Sequence, residues 1–74
     1  MNQIFECEVG KRIRDFRKQR GLTQEQLAAQ LQTRGCDITR SALAKIEVGQ
    51  RHIYVDELKL LTELLHVSYD DLLL

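Results

Sequence analysis

Inward-facing positions recur with the period of an α-helix in five successive stretches of this chain, and polar residues fill the positions between them. Those of the first three stretches are Val9, Ile13 and Phe16, then Leu27, Ala28 and Leu31, then Leu43 and Ile46. Those of the last two are Val55, Leu58, Leu61, Thr62 and Leu65, then Leu72 and Leu73. The pattern predicts five helices around one core, the first three ended by the glycines Gly21, Gly35 and Gly49.

Three of the predicted helices begin with a hydroxyl residue at the N-cap: Thr23, Thr39 and Ser68. Such a hydroxyl accepts a bond from a backbone N–H that has no partner within the helix. The apolar residue before each cap is positioned to pack against the one five positions later. Thr23 with Gln26 completes a capping box, and Ser68 with Asp71 makes a shorter one. These signals fix where the second, third and fifth helices start.

A chain of 74 residues has room for one domain with one small core. Its lack of proline and its 43% hydrophobic residues suit a compact all-α bundle. Residues 1–8 show no sustained period, so we expect an N-terminal arm or a short extra turn there, followed by a domain over residues 9–74. Such a domain leaves little space for an enclosed active site.

The cysteines and histidines stand apart from one another in the chain. Cys7 and Cys36 do not form a CxxC pair, and His52 and His66 lack neighbours at metal-ligand spacing. Without a secretory signal, the expected location is a reducing cytoplasm, where both thiols stay unpaired. The chain also lacks a nucleophile with its base, a glycine-rich phosphate loop and a membrane-binding helix. We therefore expect no enzyme activity, cofactor, metal, small-molecule ligand or membrane contact.

The formal net charge of zero conceals a strong asymmetry along the chain. Ten of the eleven Lys and Arg residues lie between Lys11 and Arg51, where there are only four carboxylates. From His52 onward, five carboxylates face a single cation, Lys59. This polarity is typical of a domain whose basic part meets phosphate, and equally of a solvated surface of mixed charge.

Four segments of the chain, GKRIRDFR, RGLTQEQLA, SALAKIEVGQR and LHVSYDDLL, occur at residues 10–17, 20–28, 41–51 and 65–73. Together they resemble the phage-repressor family, the Cro-like or XRE-type helix-turn-helix domains of bacterial and viral transcription regulators. The resemblance implies a five-helix lambda-repressor-like bundle in which helices 2 and 3 form the helix-turn-helix. It further implies sequence-specific binding of double-stranded DNA, with repression as the expected outcome.

The outward face of helix 3 is the predicted reading surface, since the second helix of such a motif enters the major groove. Its base-contact candidates are Arg40, Ser41, Ala44 and Lys45. Arg40 can pair with guanine O6 and N7, and Ala44 can touch a thymine methyl group. Without the resemblance, an ordinary solvated helix face would explain these residues as well.

Phosphate contacts are predicted at the elements that flank the groove. Thr23 and Gln24 open helix 2, where free N–H groups and the helix dipole favour anions, and Thr39 opens helix 3. The resemblance implies that Gln24 bonds a phosphate and braces the reading helix. It also implies that Gln50 and Arg51, just after helix 3, hold the opposite strand.

Arg17 and Glu47 both fall on the inward sides of their helices, where an unpaired charge is costly. The resemblance implies a buried ion pair between them that joins helix 1 to helix 3. The alternative is a solvated pair at the edge of the core. In that case, deleting either side chain would lower the free energy of unfolding by less than about 1 kcal/mol.

The connection between helices 2 and 3, over residues 31–39, is several residues longer than the minimal turn of the phage proteins. Helix 2 either continues for about one extra turn before Gly35 or gives way to a small loop. We favour the longer helix, ending near Thr33, because residues 32–34 contain no helix breaker. The depth and angle of helix 3 in the groove depend on this connection.

Five further apolar residues are candidates for a homodimer interface, formed at least on DNA: Tyr54, Leu60, Leu72, Leu73 and Leu74. A single small DNA-binding domain contacts few base pairs, so two copies are expected on a two-fold site. The alternative for the leucine-rich end is that it belongs to a longer protein.

The alternative for the function of the chain is a protein–protein interaction module or an antitoxin-type component.

Overall fold

The computed structural model describes residues 3–74, and within them it contains five α-helices and no strand. The helices are α1 (Gln3–Gln19), α2 (Gln24–Thr33), α3 (Arg40–Glu47), α4 (Val55–Leu65) and α5 (Tyr69–Leu73). Helix α1 packs against α3, α4 and α5, while α2 packs against α3 and α4. The predicted all-α class and the five-helix order are confirmed.

Most of the inward positions predicted from the pattern are buried, and two isoleucines from the connections join them. The fully or nearly buried apolar residues are Val9, Ile13, Leu27, Ala28, Leu31, Ile38, Leu43, Ile46, Ile53, Leu61, Leu65 and Leu72. The prediction for Val55 is wrong: its side chain is 82% exposed. Val55 is the first residue of α4, and Glu57 is the residue of that turn which is buried.

Each of the three predicted N-caps is formed. The Thr23 hydroxyl accepts from Gln26 N at 3.1 Å, and the Gln26 side chain accepts from Thr23 N at 2.9 Å. Thr39 caps α3 by accepting from Ala42 N at 3.1 Å. The Ser68 hydroxyl caps α5 within a capping box of its own. Local hydrogen bonding therefore determines these helix starts.

Helix α1 begins earlier than predicted. The segment expected to be an arm over residues 1–8 is helical from Gln3, while residues 1 and 2 lie outside the described part. The inward position of this first turn is occupied by Glu6, which is 4% exposed and lies 2.8 Å from His52 Nδ1. A carboxylate in the place of an apolar residue interrupts the hydrophobic period, which is why the pattern did not predict this turn.

Helix α2 continues to Thr33, the favoured end, and the rest of the long connection is a turn at residues 34–35 followed by a loop over residues 36–39. Cys36 N donates to Leu31 O at 3.0 Å across Gly35, which has φ +83°. This closes the helix with a Schellman turn. The following residues, 36–39, carry the buried Ile38, whose carbonyl accepts from Gln32 Nε2 at 3.1 Å.

Helices α1 and α3 approach each other closely at Gly10, which is buried. A Cβ atom at this position would collide with the backbone carbonyl oxygen of Ile46. The two backbones are therefore in direct contact where the helices cross. Only a residue without a side chain allows this separation.

The end of α4 offers a test of backbone conformation. His66 is the one non-glycine residue with positive φ among residues 3–74, at +57°, and its side chain is exposed. An L-residue pays for the left-handed conformation, so His66→Gly is expected to raise the free energy of unfolding by about 1 kcal/mol. Urea denaturation followed by circular dichroism measures this. Gly35→Ala is the reverse control, because Gly35 has positive φ and open space around it. This substitution should lower the free energy of unfolding by about the same amount. A destabilised His66→Gly variant would contradict the strain argument.

Candidate nucleic-acid interface

The outward face of α3 carries the residues predicted to read bases. Arg40, Ser41 and Lys45 are exposed, whereas Ala44 is half-buried. Val48, directly after the helix, is 56% exposed. The opposite face, with Leu43, Ile46 and Glu47, is buried. The structure thus brings the four candidates together on one side of a short helix.

A buried ion pair fixes the last turn of α3. Arg17 Nε donates to Glu47 Oε2 at 2.7 Å, and Nη2 donates to Oε1 at 3.0 Å. Arg17 is 6% exposed and Glu47 is 4% exposed. In the structure the pair is therefore buried, as the resemblance implied, and does not lie at the solvated edge of the core.

Two further hydrogen bonds extend this pair into a network. Arg17 Nη1 donates to the Leu22 carbonyl at 2.8 Å, and Gln24 Nε2 donates to Glu47 Oε1 at 3.0 Å. The Glu47 carboxylate therefore holds α1 and the first residue of α2 to α3. Gln24 braces the predicted reading helix through its amide nitrogen.

An open cleft of about 450 Å³ lies between the C-terminal end of α1 and the start of α2. It is lined by Arg17, Lys18, Gly21, Leu22, Thr23, Gln24, Glu25 and Arg40. The cleft thus places two predicted phosphate contacts, Thr23 and Gln24, beside the predicted base contact Arg40. Cations and a helix N-terminus around an open cleft favour an anion such as phosphate.

Lys18 is a member of this cleft that the sequence analysis did not single out. It is an exposed residue in the last turn of α1. Its signal in the sequence is only that of a basic residue near a helix C-terminus, which a stabilising interaction with the helix dipole explains equally well. Its position beside Arg40 follows from the packing of α1 against α3.

Thr39 and Gln50, the predicted phosphate contacts at the two ends of α3, are both exposed. The hydroxyl of Thr39 is occupied by the cap of the helix. Its exposed position at the start of α3 nevertheless places it next to Arg40. Both ends of the helix therefore present polar groups on the surface.

Arg51, the remaining phosphate candidate, is bonded within the chain. Its Nη1 and Nη2 donate to Glu57 Oε1 and Oε2 at 2.9 and 3.1 Å, and Nη1 also donates to the His52 carbonyl at 2.9 Å. Its guanidinium carbon lies 5.8 Å from the centre of the Tyr54 ring. The guanidinium is thus held in a bidentate pair beside an aromatic ring.

Charge and burial act against each other at this pair. Burial disfavours the ionised Glu57 carboxyl, but bonds from Arg51 and from Tyr54 N outweigh it and keep the pKa of Glu57 below its usual value. The bond from Glu57 correspondingly raises the pKa of Arg51. Both groups are therefore charged at neutral pH.

One of the predicted dimer residues is not available for an interface. Leu72 is fully buried in the core, and its carbonyl accepts from Arg12 Nη1 at 3.0 Å because α5 packs against α1. Leu60 and Leu73 are partly buried against the same core. Tyr54 and Leu74 are exposed, at 61% and 84%. The prediction for Leu72 is therefore wrong, because α5 uses this side chain to cover the domain itself.

Residues 3–74 contain neither a metal-ligating cluster nor a membrane-spanning helix. No group of three or more His, Cys, Asp or Glu side chains lies close enough there to hold a metal ion. No helix within this range is long and apolar enough to cross a membrane. The thiols of Cys7 and Cys36 are not joined in a disulfide.

Comparison with known proteins gives two matches. A helix-turn-helix family model matches residues 13–72 of the chain. Among solved structures, the crystal structure of the DNA-binding domain of BldD has a TM-score of 0.83 and 24% sequence identity, with 100% of both chains covered. At this identity the likeness shows a shared fold. No curated protein sequence matches the chain.

Proposed function

The chain belongs to the XRE-type helix-turn-helix family, and on this basis we propose that it is a sequence-specific regulator of transcription that binds double-stranded DNA. In this proposal α3 enters the major groove and the bound chain acts as a repressor in the cytoplasm. The observation that carries the proposal is the arrangement of α3. Its polar face is exposed through Arg40, Ser41 and Lys45, while its other face is tied to α1 and α2 through Glu47.

The surroundings of α3 support the same orientation. The cleft beside Arg40 combines the N-terminus of α2 with the Lys18 cation, so a phosphate can be held next to the reading residues. In the proposal, Thr23, Gln24 and Lys18 contact one strand, and Thr39 and Gln50 contact the backbone near the ends of α3. The BldD domain of similar fold is described as DNA-binding, which agrees with this use of the fold.

We propose further that the chain binds DNA as a homodimer. A single eight-residue reading helix contacts few base pairs, whereas two copies on a two-fold site read two half-sites. Of the residues predicted for the interface, Tyr54 and Leu74 have the exposure that a contact needs, and Leu60 and Leu73 can contribute their uncovered parts.

Selection of bound duplexes from a random DNA pool tests the proposed function. The affinity of the selected duplex is then compared with that of scrambled DNA at two salt concentrations. We expect an enriched two-fold-symmetric site and a large specificity ratio, with affinity falling steeply as salt rises. If no duplex is enriched and the interaction with DNA is weak and abolished by salt, the proposal fails and a protein-binding module becomes the better reading.

Replacing the reading residues should reduce discrimination between sequences. Arg40→Ala and Lys45→Ala are each expected to lower the preference for the selected duplex by ~1–3 kcal/mol per lost base contact. Lys18→Ala is the matched control at the phosphate cleft. It should weaken selected and scrambled DNA alike and reduce the salt slope by about 1. Lys59→Ala, on α4, should leave all these quantities unchanged. Equal weakening of both duplexes by Arg40→Ala and Lys45→Ala would show that the reading face is misassigned.

A further inference from the structure

The Arg51–Glu57 pair joins the loop that leaves α3 to the start of α4. Arg51 belongs to that loop, and Glu57 to the first turn of α4. The chain that leaves the predicted reading helix is thus bonded to the next helix within a few residues.

Three hydrogen bonds close the loop after α3 onto α4. Two are the bonds from Arg51 to the Glu57 carboxylate, and the third runs from Tyr54 N to Glu57 Oε1 at 3.1 Å. A further bond joins Arg51 to the carbonyl of His52 within the loop. Ile53, at 7% exposure, anchors the same loop in the core.

The Arg51 guanidinium is poorly placed to exchange this partner for a phosphate. The Glu57 side chain is 11% exposed, so an Arg51 that turned away would leave a carboxylate largely buried without its cation. Stranding a buried charge in this way is strongly unfavourable. A DNA phosphate that approached Arg51 would also approach the Glu57 carboxylate, because the two side chains are bonded to each other.

We infer that Arg51 and Glu57 are positioning residues, which set the orientation of α3 through the loop that leaves it, and that Arg51 does not act as a phosphate contact. The inference rests on the proposed function for its effect on DNA. The tie to α4 holds the chain at the C-terminal end of α3, where Glu47 already binds the last turn to α1 and α2.

A phosphate contact and a positioning role for Arg51 predict different results for Glu57→Gln. This variant keeps the shape of the side chain and leaves Arg51 in place but without its charged partner. If Arg51 contacts phosphate, releasing it should tighten the complex with selected and scrambled DNA alike. If the pair positions α3, Glu57→Gln should reduce the specificity ratio about tenfold, although Glu57 itself touches no DNA.

The chain offers a matched control in its second Arg–Glu pair that reaches α4. Arg34 Nη2 donates to Glu63 Oε1 at 2.7 Å, with both side chains more than 40% exposed. Such an exposed pair contributes little. Glu63→Gln should therefore leave the specificity ratio and the salt slope unchanged.

The experiment compares wild type with Glu57→Gln, Arg51→Gln, their double variant and Glu63→Gln, at a temperature where circular dichroism shows each to be folded. We expect both single variants to lose discrimination by a similar factor and the double variant to lose no more than either. Their salt slopes should equal that of wild type. A salt slope lower by about 1 in Arg51→Gln, with tighter binding by Glu57→Gln, would overturn the inference.

A readout without DNA separates this inference from the proposed function. Amide hydrogen exchange over residues 48–54 should be faster in Glu57→Gln and Arg51→Gln, and unchanged in Glu63→Gln. Unchanged exchange in the first two variants would refute the positioning role whatever the DNA results. A wild-type chain that selects no duplex refutes the proposed function, and the exchange rates then decide whether the pair holds the loop after α3.

Discussion

Glu47→Ala is expected to lower the free energy of unfolding by about 3–5 kcal/mol. Arg17, which is 6% exposed in the wild-type structure, then lacks its carboxylate, and the Gln24 amide loses its acceptor. A domain of 74 residues has a total stability of roughly 4–11 kcal/mol at the usual value per residue. The expected loss is therefore a large fraction of the total stability. Urea denaturation followed by circular dichroism measures the loss.

Glu8→Ala is the matched control, because the same substitution is made at an exposed position of α1. Its effect should stay within about 0.5 kcal/mol. The double variant Arg17→Met with Glu47→Leu should regain much of the lost stability, since no buried charge is then left alone. A loss of less than about 1 kcal/mol for Glu47→Ala would mean that the pair behaves in solution as a solvated surface pair.

Gly10→Ala is expected to lower the free energy of unfolding by about 3 kcal/mol, although replacing glycine by alanine within a helix usually raises it. In a helix interior alanine is ordinarily more favourable than glycine by about 0.5–1 kcal/mol. Here the added Cβ meets the Ile46 carbonyl oxygen, a backbone atom that cannot rotate away, so α1 and α3 must separate. The Tm and the midpoint of urea denaturation measure the effect.

Lys11→Ala, at the next and exposed position of α1, should leave stability nearly unchanged. Because α3 moves when α1 is displaced, Gly10→Ala should also lower the specificity ratio for DNA under the proposed function. An increase in stability would contradict the backbone contact between the two helices.

Local signals account for the parts of the fold that the sequence predicted well. The caps at Thr23, Thr39 and Ser68 and the glycine at Gly35 act through bonds within a few residues, so they can be recognised before any packing is known. The missed features depend on distant partners. Burial of Glu6 beside His52, 46 positions away, is not visible in a hydrophobic pattern.

The residues of the candidate site also divide into those that local spacing predicts and those that depend on distant partners. Helical spacing alone directs Arg40 and Lys45 outward and Glu47 inward, whereas the pairing of Glu47 with Arg17 required the family resemblance. Arg51 shows the limit of the resemblance as a guide. The family's basic loop implied a phosphate contact here, but the guanidinium is bonded to a carboxylate six residues later, which α4 brings back to it.

The network around Glu47 has a further consequence for how two surfaces adapt to each other. Because α3 is bound at its last turn to both α1 and α2, it has little freedom to tilt or slide independently of them. Under the proposed function, mutual adjustment then falls to the nucleic acid. Duplexes that bend or change groove width cheaply would be favoured even at base pairs which no side chain reaches. The operator bound by such a rigid protein would therefore be enriched in easily deformed dinucleotide steps.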